Sequence, residues 1–216
     1  MRCSAKPPTM AGVTLVAIAC LSLGSCEGAG SSSSPGCVSK PAAAPAAAAA
    51  WTLPGGDLHN TRDVTSAITG SNVAALGVAW CVPIESTTSS GATDGYATTP
   101  IVVHGVVYTQ DLQSNVMAIQ LATGKVLWTH DYRSQNGGPD GVNVANGTVY
   151  AATAHDAVAL SAATGRQLWS RTLTGNDHEG IDMAPGYNDG TVYVSTVPVN
   201  PGVGQYLGGA KGTLWR

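Results

Sequence analysis

One stretch of this chain repeats itself at an interval that few architectures use. Val106-Val107-Tyr108 through Thr123-Gly124-Lys125-Val126-Leu127-Trp128 aligns with Thr148-Val149-Tyr150 through Thr164-Gly165-Arg166-Gln167-Leu168-Trp169. The tyrosines are 42 residues apart, and the Thr-Gly pairs and the tryptophans 41. Val192-Tyr193 opens a third copy 43 residues after Tyr150. A period near 42 is the length of one four-stranded propeller blade.

Within each copy the residues spell out strands and turns. Ile101-Val102-Val103, a His104-Gly105 turn and Val106 to Thr109 read as a hairpin. Val142 to Ala145, Asn146-Gly147 and Thr148 to Thr153 read as another, with Asn188-Asp189-Gly190 turning the third. Asn-Gly suits a two-residue turn whose central residues both need φ > 0. An apolar inner strand follows, Val116 to Ile119 or Ala157 to Leu160. Thr-Gly then turns the chain into an outer strand that ends at the tryptophan. Trp80, Trp128 and Trp169 are predicted to pack between neighbouring blades, since a single blade exposes an apolar face it cannot bury alone. Leu76 to Trp80 reads as the outer strand of a preceding, incomplete blade. In the third copy Gly212-Thr213-Leu214-Trp215-Arg216 falls where Asn115 to Ile119 falls in the first, which makes Trp215 an inner-strand residue. The expected fold is therefore all-β, a partial propeller of about three four-stranded blades over residues 51–216, part of a longer ring.

Ahead of the repeats the chain carries an address. Arg2 and Lys6 precede an uncharged, mostly apolar run from Ala11 to Gly24. That run is too short to span a hydrocarbon core, which takes ~20 helical residues. It has the layout of a secretory signal over residues 1–25. Leu23-Gly24-Ser25-Cys26 resembles a lipobox, which nominates Cys26 for lipidation and places the protein in a bacterial cell envelope, anchored to a membrane. Residues 26–50 read as the lipidated cysteine and a low-complexity tether. The Ser31 to Ser34 run and the Pro/Ala run from Pro41 to Ala50 have no apolar periodicity with which to bury surface. Cys37 and Cys81 are left in an oxidising compartment, where a disulfide between them and two free thiols are both open.

Charge narrows the partners. Only 11% of residues are charged and the formal net charge is −3, so no basic field invites nucleic acid. No Cys/His set has zinc spacing. Asp177-His178-Glu179-Gly180-Ile181-Asp182 imitates a metal-binding pattern, but Gly180 and Pro185 disfavour the helix that pattern needs. His155-Asp156 is placed in a turn, where Asp commonly makes a local side-chain turn. Asn146-Gly147-Thr148 matches a glycosylation sequon and is fully explained as a hairpin turn.

The motif V-Y…A-[apolar]-x-x-x-T-G-[KR]-x-[apolar]-W resembles the pyrroloquinoline quinone (PQQ) repeat of quinoprotein dehydrogenases. Trp51, Asn60-Thr61-Arg62, Asn72-Val73, Leu76 and Trp80 occur in the order in which quinoprotein alcohol dehydrogenases begin. The resemblance implies PQQ and calcium at the propeller axis. It also implies a glutamate at Ala97, an arginine at Asp140, a threonine at Asp182 and a calcium-binding glutamate within Val194 to Gly204, a stretch without a carboxylate. The adjacent-cysteine pair of that family is missing. PQQ thus follows from resemblance alone, and calcium is disfavoured. The resulting expectation is an exported lipoprotein propeller that binds a protein or small molecule at its face, with a degenerate cofactor site. The alternatives are the N-terminal part of a PQQ-dependent alcohol or sugar dehydrogenase, and an envelope assembly scaffold.

Overall fold

The computed structural model describes residues 50–63, 66–84, 95–175, 178–200, 205–206 and 211–216. The predicted signal, nearly all of the tether, and the cysteines Cys26 and Cys37 lie outside these residues. Cys81 is disulfide-bonded.

Among the described residues there is no α-helix, only one 3-10 turn at Val73–Ala75, and thirteen strands form antiparallel sheets. The first copy is β1 (Ile101–Val103), β2 (Val106–Gln110), β3 (Val116–Gln120) and β4 (Val126–His130). The second is β5 (Asn143–Ala145), β6 (Thr148–Ala152), β7 (Asp156–Ser161) and β8 (Gln167–Thr172). Each makes a four-stranded sheet in chain order. The third copy contributes β9 (Gly186–Asn188), β10 (Thr191–Ser195) and β13 (Leu214–Trp215), with a small ribbon of β11 (Val199–Asn200) and β12 (Gln205–Tyr206).

The hairpin turns take the left-handed backbone that their residues led us to expect. His104 and Gly105, Asn146 and Gly147, and Asp189 and Gly190 all have positive φ. The two complete copies also share details below the level of the motif. Both break register at the same place, between Ala118 and Ile119 and between Ala159 and Leu160. In both, the Thr-Gly turn closes through the same bonds, with Gly124 N–H donating to Gln120 O and Gly165 N–H to Ser161 O.

Three expectations shift. The outer strands do not end at the tryptophan: β4 runs on to His130 and β8 to Thr172, because Val116 and Asp156 still find ladder partners there. Leu76 to Trp80 carries no strand assignment, having no ladder partner among the described residues. Trp215 lies opposite Val194, the place Met117 takes opposite Thr109, one position earlier than the sequence alignment put it. One step along a strand changes the face. The indole therefore turns back toward the second copy and lines a groove of about 590 Å³ with Trp169, Arg171 and Val194.

The main core lies between the first two sheets. Ile101, Tyr108, Val116 and Ala118 of one meet Val149, Ala151, Val158 and Leu160 of the next. A second cluster joins Ala152 and Ala157 to Ile181 and Val194 of the third copy. A third gathers Val107, Met117 and Ile119 under Trp80.

The tryptophans repeat one contact. Trp80 Nε1 donates to Leu121 O at 2.7 Å, and its ring lies over Gly124. Trp128 Nε1 donates to Ala162 O at 2.9 Å, and its ring lies over Gly165. Trp169, 40% exposed, borders the groove, tilted against Tyr150 as Trp128 is against Tyr108.

Candidate functional site

The segments that enter each blade converge. Thr98, ahead of β1, bridges in parallel to Asp140, ahead of β5. Asn136, fully buried, donates through Nδ2 to Ile181 O, ahead of β9. Gln110 at the end of β2 ties the same region together, its Nε2 donating to Ser114 O and Ala152 O while its Oε1 accepts from Gly141 N–H. Gly141 is crowded, since a Cβ there would lie 2.8 Å from Thr98 Oγ1. These bonds make an inner ring from three successive copies.

The ring is acidic. Asp140 is 6% exposed, Asp182 is 9% and Asp111 is 7%. Asp111 is well satisfied: Oδ1 accepts from the backbone N–H of Gln113 and Asn115, and Oδ2 from Asn115 Nδ2. Burial raises its carboxyl against those bonds. Asp140 is different. Its Oδ2 is buried with no hydrogen-bond partner, and so is Oγ1 of neighbouring Thr98. Burial first, then the charges of Asp182 and Asp111, push the Asp140 carboxyl up to about 8. An acid whose charged form is disfavoured by desolvation and by like charges holds its proton at neutral pH.

Two of the positions singled out in the sequence thus meet, Asp140 and Asp182. Ala97, the third, is exposed beside Thr98, and a Cβ on Gly138 would touch it at 3.7 Å. The stretch from Val194 to Gly204 is described only as far as Asn200. Within the metal-like pattern, Glu179 accepts a hydrogen bond from Thr196 Oγ1, His178 is exposed and Asp182 is buried, with no helix to bring them together. Among the described residues no group of three or more His, Cys, Asp or Glu side chains is arranged to hold a metal. His155 Nδ1 meets Thr174 Oγ1, and Asp156 N–H donates to Thr153 Oγ1, which makes that pair turn structure. Asn146 Nδ2 donates to Tyr187 OH of the third copy, a cross-blade tie that no local signal announced. The orphan oxygens of Thr98 and Asp140 were equally invisible, because they arise where loops 42 residues apart meet.

Residues 51–144 match the family model described as glucose/ethanol/alcohol dehydrogenase, beta-propeller domain. Residues 113–216 match the one described as outer membrane protein assembly factor BamB. Among curated proteins, a 1-butanol dehydrogenase (cytochrome c) of Thauera butanivorans is 32% identical over 75% of this chain and 24% of its own length. A quinohemoprotein alcohol dehydrogenase of Comamonas testosteroni is 33% identical over 73% of this chain and 23% of its own. The chain spans about a quarter of the length of these relatives. The crystal structure of the Comamonas testosteroni enzyme superposes with a TM-score of 0.59 at 31% identity, covering 68% of this chain and 23% of that one. That of a quinohemoprotein alcohol dehydrogenase from Pseudomonas putida gives 0.60 at 27%, covering 69% and 23%.

Proposed function

The chain belongs to the PQQ-repeat β-propeller family, its blades resembling the N-terminal blades of quinoprotein alcohol dehydrogenases, and from that premise we propose a binding propeller, exported and lipid-anchored, whose cofactor position does not suit PQQ. The observation that carries this reading is a buried Asp140 carboxyl, raised by burial and by the like charges of Asp182 and Asp111. The resemblance assigns Asp140 to an arginine, a permanent cation with which to hold an anionic cofactor. PQQ carries carboxylates. Asp140 offers them a neutral acid below about pH 8 and a negative charge above it. The donor set does not fit the group. Calcium fares no better, since it takes six to eight oxygens, carboxylates among them, and among the described residues no three carboxylates, histidines or cysteines are arranged around a common point. The propeller face is left to bind a protein or a small molecule.

A second reading is favoured by the relatives themselves, several of which are named as alcohol dehydrogenases. In that reading these blades are the first part of a PQQ-dependent oxidoreductase. Titration of a folded longer native form, alongside residues 51–216, with PQQ and calcium, followed by tryptophan fluorescence, separates the two. We expect no saturable quenching up to high micromolar PQQ. Saturable quenching at micromolar or lower concentration would establish a working quinone site and reverse the proposal. A third reading, an envelope assembly scaffold, draws on the second family match. Copurification with β-barrel assembly partners supports it, and isolation as a lone protein counts against it.

Export and anchoring rest on the signal-like residues 1–25 and on Cys26. Cys26→Ser is expected to move the protein from the detergent phase to the aqueous phase in a phase-partition assay and to abolish incorporation of labelled fatty acid. Unchanged partitioning would remove the lipid anchor.

A further inference from the structure

We propose that the inner ring is a proton-operated latch: a proton on Asp140 lets the segments bearing Thr98, Asp140 and Asp182 close on one another, and losing it opposes three carboxylates and opens the ring.

Four observations place the latch. Asp140 is buried, yet Oδ2 makes no hydrogen bond. An ionised carboxylate in that position would leave an uncompensated charge away from water, among the costliest states a protein interior offers. A protonated one carries an O–H donor. The parallel bridge puts Thr98 beside it, and Thr98 Oγ1 lacks a partner of its own. The charged groups that act on Asp140 are Asp182, ahead of β9, and Asp111, after β2. Both are acidic, and Asp131, which bears on Asp111, adds to the same sign. Among the described residues no countercharge acts on Asp140 to support its ionisation. Finally, the bonds that join the three segments among the described residues include the Thr98–Asp140 bridge, Asn136 to Ile181, and Gly141 to Gln110, none of them part of a blade's own ladder. An opening here breaks ring contacts and leaves the β-ladders of each blade intact.

The size of the effect follows from linkage. The closed ring holds the Asp140 proton up to about pH 8, whereas an opened, hydrated carboxyl returns to its ordinary value of 3.8. Between those two values opening releases a proton, so each unit of pH favours the open ring about tenfold. Above about 8 both forms are ionised and the dependence fades. Over pH 6 to pH 8 the opening constant therefore rises by about fiftyfold, and from pH 8 upward it levels off. The latch belongs to the fold, whatever the propeller binds.

The test is hydrogen exchange by mass spectrometry on the full chain from pH 6 to pH 9, corrected for the intrinsic pH dependence of amide exchange. Peptides covering 136–142 and 180–184 should lose protection by tens of fold between pH 6 and pH 8, while β6 and β7 stay protected. Asp140→Asn, which carries a donor without the charge, should hold the ring closed across the range. Asp182→Asn removes one of the two opposing charges, eases ionisation of Asp140 within the closed ring, and should leave a smaller rise that levels off at lower pH. Asp57→Asn, exposed and remote, should track the parent. A parent ring whose corrected exchange is flat with pH, or an Asp140→Asn ring that opens as the parent does, overturns the latch. If Asp140→Asn fails to fold, Asp182→Asn decides alone: a smaller rise supports the latch, and an unchanged or larger one overturns it.

Discussion

Replacing Gly165 with alanine destabilises the propeller by about 2–4 kcal/mol. Gly165 has φ +69°, a backbone that costs an L side chain about 1 kcal/mol. The rest is steric. A Cβ there would stand 2.5 Å from Cε3 of Trp128 and 2.7 Å from Cδ2, so the indole must move. It cannot move freely, because Nε1 is bonded to Ala162 O and the ring packs against the cluster between the first two sheets. Trp128→Ala alone should cost about 3 kcal/mol through lost burial and the cavity left behind. In a Trp128→Ala background, Gly165→Ala should cost only the backbone term. Denaturant unfolding of the four proteins of this cycle measures the coupling, expected at about 1–3 kcal/mol. Additivity would mean that Trp128 and the turn do not press on each other.

The second large effect is on the pH dependence of global stability. The carboxyl of Asp140 is raised when folded, so the folded chain binds its proton more tightly than the unfolded chain does. The stabilisation is complete below the unfolded value near 3.8 and is lost as pH rises toward about 8. At about 1.36 kcal/mol per unit, the parent should lose about 4 kcal/mol between pH 5 and pH 9 relative to Asp140→Asn, which carries no such linkage. The difference between the two unfolding curves reports Asp140 together with its coupling to Asp182 and Asp111, and cancels the carboxylates that do not interact with it. Equal slopes for parent and variant would show that Asp140 ionises in the folded chain as it does in the unfolded one.

Much of the blade was legible because its signals are local. Asn146-Gly147 and His104-Gly105 mark turns by the backbone they tolerate, and Thr-Gly before a strand marks the next. The repeat then multiplies each signal. The misreadings came where partners decide. Whether β4 stops at Trp128 or runs to His130 depends on what lies opposite in β3. The face of Trp215 depends on a pairing with β10 across a gap in sequence. Leu76 to Trp80 has strand composition and no ladder partner among the described residues. At the ring, resemblance marked Asp140 and Asp182 as substitutions, but nothing in either local sequence foretold that they would share one buried, acidic place. Asn136 and Gln110, which hold that place together, looked like ordinary loop and strand-end residues.

The tryptophan contact has a direction. Trp80 reaches forward to the turn at Gly124, and Trp128 reaches forward to the turn at Gly165. Each copy offers a different surface to the neighbour ahead than to the one behind, so the joint is head-to-tail rather than self-complementary. A joint of that kind has no two-fold answer: it is satisfied everywhere only when the rotation from one copy to the next brings the last round to meet the first. The angle that one indole and one glycine set between two sheets is therefore also a counting rule for the whole ring.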